Sequence, residues 1–151
     1  MDSIRIEPYH PQHARPLVEL WRASFEHGVG IKDPHPLEDQ LAFFETKVLR
    51  ENTVRIALSA STLVGFIAST PESVAQLYVA VPSIGLGIGS QLLALAKGDS
   101  SGSLWLYTFA CNARARAFYE RHGFKDSGRG HENMWNLEDI KYIWSRSVSA
   151  V

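Results

Sequence analysis

Three glycines, Gly85, Gly87 and Gly89, alternate directly after an apolar run rich in strand formers, in the stretch LYVAVPSIGLGIGS at residues 77–90. Glycine lets a main chain come close to a ligand. The unpaired amides at the start of a helix, with the helix dipole behind them, favour a bound phosphate. The chemistry this spacing points to is a pyrophosphate cradle. A surface turn needing positive φ accounts for one or two such glycines and poorly for three. A Walker A loop needs Gly-Lys-Ser/Thr, and no lysine stands between Leu77 and Ala96, which removes that class. A dinucleotide fingerprint would place its third glycine at Ser90 and an acidic residue on the next strand, where residues 104–109 hold none.

For such a loop to act, a strand must feed it and a helix must leave it. Residues 75–81 (AQLYVAV) read as the strand, and residues 91–97 (QLLALAK) as the helix, stopped by residues 98–102 (GDSSG). Upstream, residues 3–7 (SIRIE) alternate as a first strand, and Ala14, Leu17, Val18, Trp21 and Phe25 recur at helical spacing. Gly28, Gly30, Pro34 and Pro36 break that helix, making residues 26–36 a loop, and Leu37, Leu41, Phe44 and Val48 mark a second helix. Residues 54–60 (VRIALSA) and 62–70 (TLVGFIAST) predict an antiparallel hairpin. Downstream come a strand at residues 104–110, a helix at 112–121 ended by Gly123, and short strands near 124–127 and 140–144. The order is β-α-α-β-β-β-α-β-α-β-β. No linker divides the chain, so one domain over residues 1–151 is expected.

Composition narrows the partners. With 45% hydrophobic and 21% charged residues and a formal net charge of −1, the chain has globular composition and no general attraction to nucleic acid or anionic membrane. Cys111 is the only cysteine, which excludes an intrachain disulfide and a multi-cysteine metal site. The six histidines show no metal-ligand spacing, so no metal is expected. The N-terminus has no basic start and no apolar core, and no later run has the length of a membrane span. A soluble cytoplasmic protein is expected, with no nucleic-acid or membrane partner and with a homodimer left open.

A second motif follows the first at about the length of one helix and one strand: N-x-x-A-x-x-F-Y-x-x-x-G-F at residues 112–124, from Asn112 through Ala115, Phe118 and Tyr119 to Gly123 and Phe124. Together the two motifs, in this order, resemble the GNAT superfamily of N-acetyltransferases, whose acetyl-CoA site combines a Q/R-x-x-G-x-G/A loop with an asparagine-led helix. The resemblance implies an α/β fold with a mixed, largely antiparallel central sheet flanked by helices. It also implies acetyl-CoA as cofactor and transfer of an acetyl group to a primary amine of a small molecule or a peptide. This chain departs from the pattern at Ile84, where Gln or Arg usually opens the loop, and at Leu86, where Lys or Arg is frequent.

By the same resemblance, main-chain groups of Leu77, Tyr78 and Val79 pair with the pantetheine arm, and an amide near Val79 polarises the thioester. The amides of Gly85, Leu86, Gly87, Ile88, Gly89 and Ser90, with Ile84 at the loop's opening, hold the pyrophosphate. Asn112 contacts the cofactor or caps its helix, a role for which asparagine is well suited. Ala115 and Phe118 line the groove or pack in the core. Tyr119 is the expected general acid, because a neutral phenol is a suitable proton donor to a departing thiolate at pH 7. Glu72 is the candidate base, with Gln76 as a lesser one, and a turn carboxylate describes Glu72 equally well. The acceptor is expected at the loop of residues 26–36 and the last strands, with Phe25, His27 and Asp33 as contacts beside Trp21 and Trp144. His10, His13, His122 and His131 read as surface. An acyl-CoA-binding regulatory module without catalysis is the alternative, and a nucleotide-dependent oxidoreductase a more distant one.

Overall fold

Alternation sets the first strand, β1 (Ile4–Pro8), which lies antiparallel to β2 (Thr53–Ser59) with Ile4 opposite Ser59 and Pro8 opposite Arg55. The computed structural model describes residues 3–131, 133 and 135–146. Between the two strands, α1 (Ala14–Val29) follows a 3-10 turn at Pro11–His13 and buries Leu17, Val18, Leu20, Trp21 and Phe25 on one face, as the helical spacing requires. It ends at Gly30, whose φ of 85° gives a left-handed cap with its N–H on the Glu26 carbonyl. Gly28 does not break the helix as expected. It lies inside α1, where a Cβ would stand 2.6 Å from Asn112 Nδ2, so its role is close approach. α2 (Leu37–Phe43) continues through a π-turn at Phe44–Val48 and a last turn at Leu49–Glu51, carrying Phe44 and Val48 into the core.

The expected hairpin forms from β2 and β3 (Thr62–Ser69), and β4 (Val74–Val79) adds to it, giving a sheet in the order β1-β2-β3-β4. β5 (Ser103–Phe109), β6 (Lys125–Gly130) and β7 (Asp139–Ser145) form a second sheet in which β7 lies between the other two. Every pairing within the sheets is antiparallel. Among the described residues the sheets are joined by one parallel bridge, Ser73 with Trp105, where the Trp105 N–H donates to the Glu72 carbonyl at 3.0 Å. Past this point β4 and β5 part.

Two apolar clusters cover the first sheet. One gathers α1 and the α2 segment over Ile56, Phe66 and Ala68. The other gathers α3 (Ile88–Asp99) and α4 (Ala113–Arg121) with Ile67, Leu104, Leu106 and Tyr142. Helices on both faces of strands are thus sealed by two cores, a layered α/β architecture in the expected element order. α3 begins at Ile88 rather than at Gln91, which puts Gly89 and Ser90 in its first turn.

Candidate active site

The gap between β4 and β5 exposes main-chain groups. The Ala80 N–H donates to the Val64 carbonyl at 2.8 Å. Main-chain bonds alternate along an antiparallel ladder. Tyr78, opposite Phe66, therefore exchanges bonds with β3, whereas Val79, opposite Gly65, and Leu77, opposite Ile67, turn their N–H and C=O groups toward the gap. The missing neighbour leaves a free strand edge inside the molecule.

That edge runs into the glycine loop. Gly85 and Gly87 have φ of 89° and 83°, and a Cβ on either would meet nothing within 4 Å, so both glycines serve main-chain conformation beside open space. Gly89 serves packing, since a Cβ there would lie 3.2 Å from the Phe118 ring of α4. Among the described residues no acceptor takes the amides of residues 85–90, and the first bonded amide is that of Gln91, on the Gly87 carbonyl. The Ser90 hydroxyl meets His122 Nε2 at 2.9 Å while His122 Nδ1 lies 2.8 Å from the Phe118 carbonyl, which ties the start of α3 to the end of α4. His122 is therefore an inter-helix tie and not the surface residue expected.

A channel of about 550 Å³ follows this path, lined by Leu77, Val79, the loop and the face of α4 that carries Arg114, Ala115, Phe118, Tyr119 and Arg121. Its unpaired amides at a helix N-terminus and its open strand edge fit an extended, amide-bearing arm that ends in a diphosphate. A second cleft of about 1010 Å³ is lined by Trp21, Phe25, Asp33, Asp39, Trp135 and Lys141, among others. Channel and cleft share Ala75, Gln76, Tyr78, Tyr107, Thr108 and Phe109, so they meet where the strands part.

Tyr119 faces the channel from α4, its ring packed edge-on to Phe118 and Phe124. Its hydroxyl has no hydrogen-bond partner among the described residues, yet no side-chain oxygen or nitrogen there is both buried and unpaired. The hydroxyl thus opens on the channel. Burial pushes its pKa well above the ordinary phenol value, and the nearby Tyr78 adds to the shift. Tyr78, stacked on Trp21, is itself pushed up to about 12 by burial, with a hydrogen bond to Trp21 acting the other way.

The expected residues divide clearly by place. Ile84, Gly85, Gly87, Ile88, Gly89, Ser90, Asn112, Ala115, Phe118 and Tyr119 all line the channel. Asn112 also caps α4, its Oδ1 accepting the Ala115 N–H at 3.1 Å. Leu86 stands outside, 56% exposed. Phe25 and Asp33 line the cleft, whereas His27 lines the channel instead, because α1 carries it past the end of the expected loop. Glu72 lines neither cavity. It is an exposed residue of the turn before β4, at the joined end of the two strands, and its carboxylate is not brought to Tyr119. Trp144 packs on Phe124 beneath Lys97, away from the cleft. Sequence reasoning missed Arg114 and Arg121, although their i, i+7 spacing through Phe118 places them on one helix face. It also missed Thr108 and Trp135, for which no local pattern exists.

A family model, the acetyltransferase (GNAT) domain, matches residues 50–126, and the chain belongs to that family. Its cofactor is acetyl-CoA, and the chain is an acyltransferase. The fold is shared with solved structures of low identity. Apo YjaB from Escherichia coli is 19% identical, with a TM-score of 0.79 over 96% of this chain and 99% of that one. The PaiA N-acetyltransferase from Thermoplasma acidophilum, in complex with coenzyme A, is 22% identical, with a TM-score of 0.74 over 95% and 99%. A GNAT-family acetyltransferase from Staphylococcus aureus Mu50 is 20% identical, with a TM-score of 0.76 over 96% and 100%. No curated protein matches the sequence. Among the described residues no helix is long and apolar enough to cross a membrane.

Proposed function

We propose that the chain is an N-acetyltransferase that moves an acetyl group from acetyl-CoA to a primary amine of a small molecule or peptide, by direct attack with both partners bound. The observation that carries this reading is the meeting of channel and cleft across the parted strands at Gln76, Tyr78, Tyr107, Thr108 and Phe109. A donor arm in the channel and an amine in the cleft would present their reacting ends to each other there. Acetyl-CoA supplies an acyl group activated as a thioester. The free edge at Leu77 and Val79 and the amides of the glycine loop hold and orient the donor, and the Val79 amide polarises the acyl carbonyl. Tyr119 keeps its phenolic proton at neutral pH and gives it to the departing sulfur. The dry surroundings that raise the phenol also disfavour a thiolate at the same place, so donor and acceptor of the proton stay matched. The amine's own proton leaves into the cleft. Glu72 has no part in this scheme.

The test is thiol release from acetyl-CoA across a panel of amines, followed by Tyr119→Phe on the best acceptor. The ring, its packing and the channel are kept, so donor affinity should be nearly unchanged while kcat falls roughly 10²-fold. A folded Phe variant with wild-type kcat, where chemistry limits the rate, removes the acid role. Thermal stabilisation by acetyl-CoA with no thiol released by any amine would favour the acyl-CoA-binding module.

A further inference from the structure

The acceptor cleft contains a carboxylate for which the acyl transfer itself has no use. Asp33 lies between α1 and α2 with its side chain only 4% exposed. Its Oδ1 accepts the His35 N–H at 2.9 Å and meets His35 Nδ1 at 2.9 Å. Its own N–H donates to Glu26 Oε2 at 2.7 Å, and its carbonyl accepts from Arg22 at 2.8 Å. The residue is thus held on every side but one. Oδ2 has no partner among the described residues, and since no side-chain oxygen there is both buried and unpaired, Oδ2 must face open space. The space beside it is the cleft.

Charge and shape around Oδ2 agree on the occupant. Glu26 and Asp39 add negative charge, while Arg22 spends its guanidinium on the Asp33 carbonyl and Gln40. Arg129 is tied to Glu138 and Asp126, and Lys141 lies over the Trp105 ring. The walls are rings: Trp135 lies 4.5 Å from Phe25 and 4.8 Å from His35, centroid to centroid. A dry carboxylate opening between aromatic faces suits an organic cation, which it attracts by charge and the rings by their π-faces. Oδ1 has His35 as its partner and Oδ2 has none, and a sheltered carboxylate oxygen is costly to leave unpartnered.

Asp33 is not at the junction of the two cavities. It lines the cleft only, and the ring series Phe109, Phe25, Trp135, His35 leads from the junction toward it. The group it binds is therefore not the amine that is acylated. We propose that Asp33 anchors a second cation on the same acceptor, so that the preferred acceptors are amines carrying another ammonium group beyond an apolar spacer that lies along Phe25 and Trp135. The inference rests on the reading above in one respect, that the acceptor enters by this cleft.

The experiment measures binding without turnover, by calorimetry on the protein saturated with coenzyme A. A series of α,ω-diaminoalkanes is compared with n-alkylamines of matching length. Diamines long enough to span the cleft should bind roughly tenfold tighter than their monoamine partners. The advantage should shrink as salt is raised. It should vanish in Asp33→Asn, which keeps the acceptor for the His35 N–H. Equal affinities of the two series for the wild-type protein overturn the proposal, whether or not the variant folds. A diamine advantage that survives in a folded Asp33→Asn protein overturns it too. Thiol release from acetyl-CoA with the same amines is measured separately: its absence for every amine counts against the acetyltransferase reading and leaves the binding comparison to decide the anchor.

Discussion

The glycine loop carries no cation of its own, and two stand on α4 along the same channel. Arg114 and Arg121 line the donor channel on the same helix face as Phe118, whose ring packs on Gly89. Arg121 follows Phe118 by one turn, beside the end of α4 that His122 ties to Ser90. Arg121→Gln should weaken acetyl-CoA binding about fivefold at low salt, the scale of one charge-assisted hydrogen bond at a rim, and less at high salt. Calorimetry checks this, and an unchanged low-salt affinity would show that Arg121 has no part in the grip. The residues of the channel were legible in the sequence because each is tied to a local requirement: glycine at positive φ, asparagine at a helix start, a phenol at fixed spacing after it. The cleft was legible only in part: Phe25 and Asp33 were expected beside the end of the first helix, whereas Thr108 and Trp135 come from separate parts of the chain, and no period along the sequence joins them. His27 was misplaced for a related reason, since the end of a helix rotates each residue by about 100° and a boundary error of a few residues changes the cavity it faces.

Elements were read in the right order and mis-bounded where a glycine had two possible meanings. Gly28 looks like a helix breaker in sequence, yet it is the point where α1 passes Asn112, the cap of α4. This gives a thermodynamic cycle. Asn112→Ala should cost about 1 kcal/mol through the lost cap. Gly28→Ala should destabilise the wild-type chain, because the new methyl displaces the Asn112 amide. In the Asn112→Ala background the same change should become neutral or stabilising by about 0.5–1 kcal/mol, the gain of alanine over glycine in a helix. Urea denaturation of the four proteins measures the coupling. Additive effects would show that the two helices do not meet through this pair. Gly89, by contrast, was read as part of a phosphate loop and proves to be helix as well, because the first turn of α3 carries the unpaired amides and packs on Phe118 at once.

At the scale of the whole molecule, titration of the buried phenols reports on the two halves together. Tyr78 and Tyr119 hold their protons more tightly folded than unfolded, where tyrosine titrates near 10. Tyr9 and Tyr142 shift in the same direction, chiefly by burial. Below pH 10 both states keep these protons and stability is flat on their account. Above it the unfolded chain releases protons that the folded chain retains, so stability falls as pH rises toward the folded values, by up to about 1.4 kcal/mol per pH unit for each such group. Denaturation between pH 9 and pH 11 should give a steep fall for the wild-type protein and a shallower one for Tyr78→Phe and Tyr119→Phe; equal slopes would mean that the rings are not dry. The two sheets were not foreseen as separate, because a strand's sequence does not state whether its second edge is paired. The unpaired edge of β4 has a further bearing, on descent. On the proposed reading the donor is gripped there and along the glycine loop largely by main-chain atoms, which every residue type carries, so side chains such as Ile84 and Leu86 can drift without erasing the grip. On the same reading the acceptor is gripped by side chains, where each replacement rewrites the message. A lineage built this way inherits its donor almost for free and can change acceptors by substitution on one side of the seam, keeping the chemistry while its clientele turns over.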